Sequence, residues 1–438
     1  MFEADERLAE LLVEFCRRRL ATAPVRVGLG GARPPRAGAL DGLLCEGGND
    51  PEHVLRVFED ELEASIFSPD SPDYLAFIPT APTKASLLFD MAVSAASFPG
   101  TSWLEAAGVV AAENQALRFL ADLAELPSGA GGCFVSGGSI ANLSALFVAR
   151  EHARPVARPR IAVSDEAHPS VALALRVLGV EPLVVPTDDH RLTGAALSEA
   201  LVDDVVAVVA TAGTTNAGLV DDLAGIADVA HERDLWLHVD GAYGAAALLV
   251  PELRGRFRGI ERADSLVVNP HKWLFAPFDC AALLYRRPEL ARAVLTQHAS
   301  YLDVMHADAD EWNPGDYAIH LTRRARGLPF WFSLAVHGTS RYREAVARTL
   351  STARRCARLI EDAPHLELAR EPELSVVLFR RPGWEADDYR RWSERLLDEQ
   401  RALVSPTVWE GAPTARLAFL HPDTSIELVA EILDAMRT

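Results

Sequence analysis

Between residues 131 and 286 the chain repeats one pattern: a short apolar run, a turn, then a longer stretch with apolar positions at helical spacing. GGCFVS (131–136) predicts a strand, and SIANLSALFVAREHA the helix after a glycine turn. RIAVSDEAH (160–168) reads as a strand into a loop and PSVALALRVLG as a helix. EPLVVP, VVAVVATAG (205–213), WLHVDGAYG (236–244), SLVVNPHKW (265–273) and CAALLYR (280–286) are further predicted strands, with ALSEALVD and LAGIADVAHERD as helices between them. Runs of Val and Ala without alternation suit a sheet covered on both faces. Strands alternating with helices predict a mostly parallel, doubly wound α/β sheet.

The flanks differ. In DERLAELLVEFCRRRL (5–20), Leu8, Leu11, Leu12 and Phe15 share one face of a predicted helix. GLGGARPPRAG (28–38) is rich in glycine, but no strand precedes it as a nucleotide fingerprint requires, so it reads as a linker. After about residue 330 a long helical stretch, the strand ELSVVLFRR, a helix near 385–402, ARLAFLHP and a last helix predict a separate α+β domain. The expected organisation is a helical N-terminal segment with a pocket-lining stretch (1–85), a large α/β domain (86–332) and a C-terminal α+β domain (333–438).

Composition narrows the partners. A net charge of −19 argues against nucleic acid and anionic membrane surfaces, which need basic patches. The five cysteines form no C-x-x-C pair, so neither a zinc ribbon nor a disulfide framework is indicated. The acidic start lacks a signal-peptide layout, and no apolar run reaches spanning length, so a cytoplasmic protein is expected. Among 43 Lys plus Arg residues only Lys84 and Lys272 are lysine. Arginine neither loses its proton nor forms a Schiff base in a protein, whereas a buried lysine does both. A lysine inside VVNPHKWLF (267–275) therefore points to amine chemistry.

Four features fall at loops or strand ends of the α/β region, where such sheets bind ligands. Ser136-Gly137-Gly138-Ser139 joins a strand to a helix; it suits a phosphate or is simply a glycine turn. His238 and Asp240, two apart on a strand, share one face: a hydrogen-bonded strand-end acid, a metal-ligand pair, or an acid for a ring nitrogen. Asp165-Glu166-Ala167-His168 precedes a helix that starts at proline, where acids would cap it. Asn269-Pro270-His271-Lys272-Trp273 is the fourth.

Taken with SPDYLAFIPTAPT (71–83), GGSIANLSAL, TAGTTNAG, FDCAALLY, SYL and LTRRARGLPFW (321–331), these motifs resemble the pyridoxal-phosphate-dependent group II decarboxylases, the aromatic L-amino-acid and glutamate decarboxylase family. The resemblance implies a fold-type-I (aspartate aminotransferase-like) large domain and pyridoxal 5'-phosphate as cofactor. Lys272 would hold the cofactor as a Schiff base, and Asp240 would keep its pyridine nitrogen protonated, which makes the better electron sink. Gly138, Ser139, Asn269 and His271 are the implied phosphate ligands, His168 the histidine on the ring face, Thr215 a contact near the ring oxygen, and Ala242 the small residue beneath the ring. No metal is implied.

The family's proton donor to the α-carbon is a tyrosine on a loop reached from the neighbouring subunit, which matches Tyr301 in HASYLDVMHADADEWNPGD (298–316). The implied activity is decarboxylation of an L-amino acid to the amine and CO₂ by a carboxy-lyase, in a homodimer with shared active sites. Family members with phenylalanine there form aldehydes oxidatively, so a decarboxylation-dependent oxidative deaminase is the alternative. Phe77, Ile78, Pro79 and Thr80, with Trp103, match the pocket wall and favour an apolar or aromatic side chain, because an apolar wall does not compensate a desolvated charge. Arg416, in ARLAF, is the cation that would meet an acidic substrate.

Overall fold

A computed structural model describes residues 6–21, 35–306 and 311–437. It divides into two compact units: Thr80–Ala353 with Pro372–Val376, and Met1–Pro79 with Arg354–Glu371 and Val377–Thr438.

The larger unit holds seven strands: β1 (Gly131–Val135), β2 (Arg160–Ser164), β3 (Glu181–Val185), β4 (Val205–Thr211), β5 (Trp236–Asp240), β6 (Ser265–Val268) and β7 (Ala281–Tyr285). Their order in the sheet is β1-β7-β6-β5-β4-β2-β3. Strands β2 to β6 pair in parallel, while β7 runs antiparallel to both β6 and β1. The connection from β6 to β7 contains no helix. Without a crossover element the chain can only turn back beside the strand it has left, which accounts for the one reversed strand.

The seven strands fall where the apolar runs predict them, with two corrections. WLHVDGAYG is a strand only over Trp236–Asp240. SLVVNPHKW is a strand only over Ser265–Val268; NPHKW is a turn beyond its end. The proline has no N–H for a ladder. The Lys272 N–H bonds to the Asn269 carbonyl at 2.9 Å, and the Ala276 N–H to the Pro270 carbonyl at 3.1 Å.

Strands β4 and β5 are buried along their whole length. Helix Gly138–His152 lies on the sheet through Ala141, Ala145, Val148 and Ala149, in one cluster with Val163, Val209 and Val267. Its small side chains let the helix axis approach the strands closely. Two loop glycines at the strand ends are also required. Gly213 sits at φ +110°, and a Cβ there would meet the Gly244 Cα at 2.7 Å. A Cβ on Gly244 would overlap the Ala212 carbonyl oxygen at 2.2 Å. The TAG and AYG motifs thus pack backbone against backbone.

The long helix Leu328–Glu361 is broken at Gly338, which takes φ 74° and ψ 155°. Helix Trp103–Leu123 places Glu113 in the core, where it accepts from the Arg323 guanidinium at 2.8 Å and the Gly327 N–H at 2.7 Å. Arg323 and Gly327 belong to LTRRARGLPFW, so part of that motif is structural.

The smaller unit has a four-stranded sheet in the order β10-β11-β9-β8, from β8 (Glu367–Arg370), β9 (Val376–Arg380), β10 (Thr407–Trp409) and β11 (Ala412–Ala418). The helices Ala386–Asp398 and Ile426–Asp434 meet where the Trp392 indole N–H reaches the Ile432 carbonyl at 3.3 Å. Helix Glu6–Ala21 fully buries none of its residues; its apolar face is half-covered, with Phe15 edge-on to Phe58 at 5.7 Å. Residues 28–34 of the predicted linker lie outside the described residues.

Candidate active site

Strands β1, β2, β4, β5 and β6 all point one way, and the loops leaving their carboxyl ends converge on a cavity of about 270 Å³. Nine residues expected at a cofactor line it: Gly138, Ser139, His168, Thr215, Asp240, Ala242, Asn269, His271 and Lys272. A wider cavity of about 690 Å³ at the opposite end of the sheet contains none of them. Size does not decide the matter: among that cavity's arginines, Arg262 pairs with Asp228 at 2.6 Å and Arg287 lies 3.7 Å from Asp264.

Lys272 is held from below. The next residue, Trp273, is fully buried, donates its indole N–H to Thr349 Oγ1 at 2.9 Å and stacks on Tyr243 at 5.2 Å. The Tyr243 hydroxyl lies 2.6 Å from Ser375 Oγ. Burial lowers the Lys272 pKa, and the nearby Asp240 charge only partly opposes it. A lysine in such a place has more of its amine in the neutral, nucleophilic form.

Asp240 ends β5 and is buried. Its Oδ1 accepts the Ala242 N–H at 3.1 Å and its Oδ2 accepts from Asn142 Nδ2 at 2.9 Å. His238, on the same face, is fully buried and bonded on both nitrogens, to Ser265 Oγ at 2.8 Å and Asn142 Oδ1 at 3.0 Å. Burial pushes its pKa down to about 4. The strand-end pair is therefore a hydrogen-bonded assembly.

The acids of Asp165-Glu166 do not cap the following helix. His168 does, its Nδ1 accepting the Ser170 N–H at 3.1 Å, while Glu166 pairs with His190 at 2.7 Å. Burial lowers the His168 pKa, with Asp240 raising it and Lys272 lowering it further.

In the motif of Lys272, His271 Nδ1 accepts the Cys280 N–H at 2.9 Å, which leaves the ring proton of a neutral imidazole on Nε2. Burial drives its pKa to about 4, so this neutral form prevails at pH 7. Nε2 lies 3.4 Å from Asn269 Nδ2, also a donor, so the two do not bond each other and both are left to meet an acceptor.

Asn142, Ser170, Thr211, Gly213 and Tyr243 also line the cavity, beyond the residues to which the sequence points. Asn142 has a legible signal: it stands four residues after Gly138 on one helix, hence on the same face.

The predicted substrate wall and proton donor are not among the residues lining this cavity. Tyr301 is 74% exposed. Residues 307–310 of its segment lie outside the described residues; the segment resumes at Glu311, and Asn313 Oδ1 accepts the Trp103 N–H at 2.9 Å. Thr80 is buried and donates to the Ala276 carbonyl at 2.9 Å. Phe77, Ile78 and Pro79 belong to the smaller unit; Phe77 is 62% exposed, with φ 54°. In that unit Arg416 is buried and donates to the Phe77 carbonyl at 2.9 Å.

Comparison with known proteins identifies the family of the chain. The model of the pyridoxal-dependent decarboxylase conserved domain matches residues 44–381. The chain belongs to the pyridoxal-dependent decarboxylase family. An aromatic-L-amino-acid decarboxylase of Bacillus atrophaeus is 32% identical over 410 residues, 89% of this chain and 85% of that protein. An L-2,4-diaminobutyrate decarboxylase of Rhizobium meliloti is 33% identical over 372 residues, 80% and 74% of the two chains.

Among solved structures, tryptophan decarboxylase of Catharanthus roseus in complex with L-tryptophan superposes with a TM-score of 0.89 at 24% identity, covering 100% of this chain and 98% of that one. The 4-hydroxyphenylacetaldehyde synthase of Rhodiola rosea gives a TM-score of 0.83 at 24% identity, over 98% and 96% of the two chains. These two likenesses speak for the fold, which is the fold-type-I architecture. This family member is a pyridoxal-phosphate-dependent carboxy-lyase acting on an amino acid. No described helix is long and apolar enough to cross a membrane.

The residues present suit that cofactor. Asn269 Oδ1 and Thr211 Oγ1 are buried without a hydrogen-bond partner among the described residues, polar groups that a polar ligand would satisfy. A Cβ on Gly138 would stand 3.2 Å from Asn269 Nδ2 and 3.5 Å from the Ala242 Cβ, so the glycine keeps this corner open. A depressed lysine, a fixed carboxylate and neutral donors share one cavity, the set that an aldehyde, a pyridine nitrogen and a phosphate require.

Proposed function

We propose that the protein decarboxylates an L-amino acid with an apolar or aromatic side chain to the corresponding amine, using Lys272 as its cofactor-holding amine. The observation that carries the proposal is Lys272, depressed by burial in the same cavity as Asp240 and His168. Pyridoxal phosphate, when bound, supplies an aldehyde for the substrate amine and a ring that accepts the electron pair released with CO₂. Lys272 Nζ would hold the aldehyde carbon. Asp240 would hold a proton on the ring nitrogen, since a carboxylate fixed by two donors has lone pairs left to accept a third. His168 would lie on the ring face, with Ala242 and Thr215 bounding the ring, and Gly138, Ser139, Asn269 and His271 would receive the phosphate.

Tyr301 would deliver the proton to the α-carbon, reaching the site of a second copy of the chain in a homodimer. A segment presenting an exposed tyrosine suits a lid that closes on substrate. Tyrosine at this position, where the aldehyde-forming members of the family carry phenylalanine, favours the amine product. Phe77 and Ile78 supply no charge for a polar substrate group, which supports an apolar or aromatic side chain over an acidic one. The similarity to an aromatic-L-amino-acid decarboxylase supports the same choice.

Initial rates on L-tryptophan, L-phenylalanine, L-tyrosine, L-leucine, L-glutamate and L-2,4-diaminobutyrate, with CO₂, amine and peroxide read separately, test the proposal. An aromatic or aliphatic substrate is expected to give the highest kcat/KM, with amine equal to CO₂ and no peroxide. A preference for glutamate or diaminobutyrate would overturn the substrate class. Aldehyde and peroxide in step with CO₂ would establish the oxidative alternative.

A further inference from the structure

Behind the cavity a continuous line of hydrogen bonds runs from Trp236, the first residue of β5, to the cavity groups. The Trp236 indole N–H meets Ser265 Oγ at 2.8 Å, Ser265 Oγ meets His238 Nδ1 at 2.8 Å, and His238 Nε2 meets Asn142 Oδ1 at 3.0 Å. From Asn142 the line forks: Nδ2 is 2.9 Å from Asp240 Oδ2 and 3.1 Å from Ser170 Oγ. Ser170 Oγ is in turn 2.8 Å from His168 Nδ1. Asn142 and His238 are fully sequestered from solvent and Ser265 is 1% exposed, so water does not complete the bonds among these three, while His168 at the end of the line is exposed.

The direction of every proton is set by the two ends. An indole N–H only donates and a carboxylate only accepts. Asp240 therefore faces the Asn142 amide NH₂, which turns the amide oxygen toward His238 and obliges His238 Nε2 to carry the proton. His238 Nδ1 is then an acceptor and takes the Ser265 hydroxyl, whose oxygen accepts from Trp236. On the other arm, the second amide hydrogen of Asn142 goes to Ser170 Oγ, and the Ser170 hydroxyl donates to His168 Nδ1. That nitrogen also accepts the Ser170 N–H, so the His168 proton sits on Nε2.

Reversing the Asn142 amide would set its oxygen against Asp240 and its NH₂ against a ring N–H. An unmade hydrogen bond of this kind costs about 1–3 kcal/mol for each buried group, so a single orientation persists. The depression of His238 to about 4 by burial keeps its ring neutral, as one donor and one acceptor require.

We propose that Asn142 is a positioning residue for this active site: its carboxamide, locked by His238, sets the orientation of Asp240 and, through the Ser170 hydroxyl, the orientation of His168. The inference rests on the assignment of Asp240 to the ring nitrogen and His168 to the ring face. One amide then prepares both contacts in advance, and preorganisation of this kind matters because the groups must not rearrange during the reaction.

The test uses the full chain, first without added cofactor, with ¹⁵N-labelled histidine and the His168 signals assigned by their loss in His168→Gln. The wild-type spectrum is expected to show one tautomer at His168, protonated on Nε2. Asn142→Leu is expected to give mixed tautomers at His238 and a shifted His168 Nδ1 signal; Ser170→Ala shifts the His168 Nδ1 signal alone, while the backbone N–H at 170 keeps the Nε2 tautomer. On adding pyridoxal 5'-phosphate, Asn142→Leu should bind it about 10–100-fold more weakly and lose a similar factor in kcat per loaded site. KM for the amino acid should change less than threefold.

If Asn142→Leu lowers Tm but leaves the tautomers, cofactor affinity and kcat per loaded site unchanged, the residue is merely structural and the proposal fails. Should Asn142→Leu not fold, Ser170→Ala decides: an unchanged His168 Nδ1 shift and an unchanged ring-band spectrum would overturn the proposal. Failure of the cofactor assignment itself would appear separately, as absence of a cofactor band in wild-type protein whose histidine spectrum still shows the ordered line.

Discussion

The floor of the cavity and the segment that carries Tyr301 are built in opposite ways. Asp240, Asn142, His238 and Asn269 are buried at the ends of sheet strands or on the helix packed on them, and Asp240 has both oxygens engaged. Tyr301 projects from the same compact unit with three quarters of its surface open. On the function proposed above, the difference separates two tasks. Holding a cofactor requires groups fixed before it arrives, whereas selecting the product after CO₂ loss requires a group that reaches in only once substrate is present.

Substitutions that act on only one of these regions can break that separation. The largest effect is expected from Lys272→Ala: loss of the visible cofactor band and a fall of about 10⁴-fold or more in CO₂ release, the scale seen when a nucleophile of a concerted unit is removed. Absorbance spectra and a CO₂ assay on the same sample check it. Asp240→Asn comes next, with kcat lowered by about 10²–10³-fold, as for a lost electrostatic group at a developing charge, and with weaker pyridoxal phosphate binding by fluorescence titration.

Tyr301→Phe is expected to act on the other region alone. Amine formation should fall about 10²-fold, the low end of the range for a lost general acid, while cofactor affinity stays within about twofold and peroxide and aldehyde rise. A large loss of cofactor affinity in Tyr301→Phe would show that the segment is part of the floor after all.

The smallest effect concerns acid stability of the buried line behind the cavity. His238 has an ordinary pKa of 6.5 lowered to about 4 in the fold, so between these values the unfolded chain binds more protons. Stability from this group is full above about pH 6.5 and is lost as pH falls toward 4, by up to about 3 kcal/mol. Urea unfolding between pH 7 and 4 measures the slope, which should be shallower in His238→Phe after correction for the variant's lower stability at pH 7.

Much of the sheet was legible because buried parallel strands announce themselves as apolar runs, and because the site residues stand at the turns that end them. Lys272 stood out because nearly every other cation in the chain is arginine. The line from Trp236 to His168 was not legible: its members come from β5, β6 and two helices, and a buried serine or asparagine has no periodicity of its own. The capping role fell to His168 instead of the acids because a neutral imidazole with a free Nδ1 serves as an N-terminal acceptor just as a carboxylate does.

The linear order of residues by itself determined the chemistry of this protein: an amine, an acid, a glycine turn and their neighbours at strand ends, in a pattern that belongs to one decarboxylase family. Tertiary structure alone decided which polar side chains face each other, that NPHKW leaves the sheet as a turn, and that one asparagine serves two cavity groups. The physical reason is that hydrophobic periodicity is local and can be read along the chain. Hydrogen-bond partnership in the core depends on which strands become neighbours, and that is settled only when the sheet assembles.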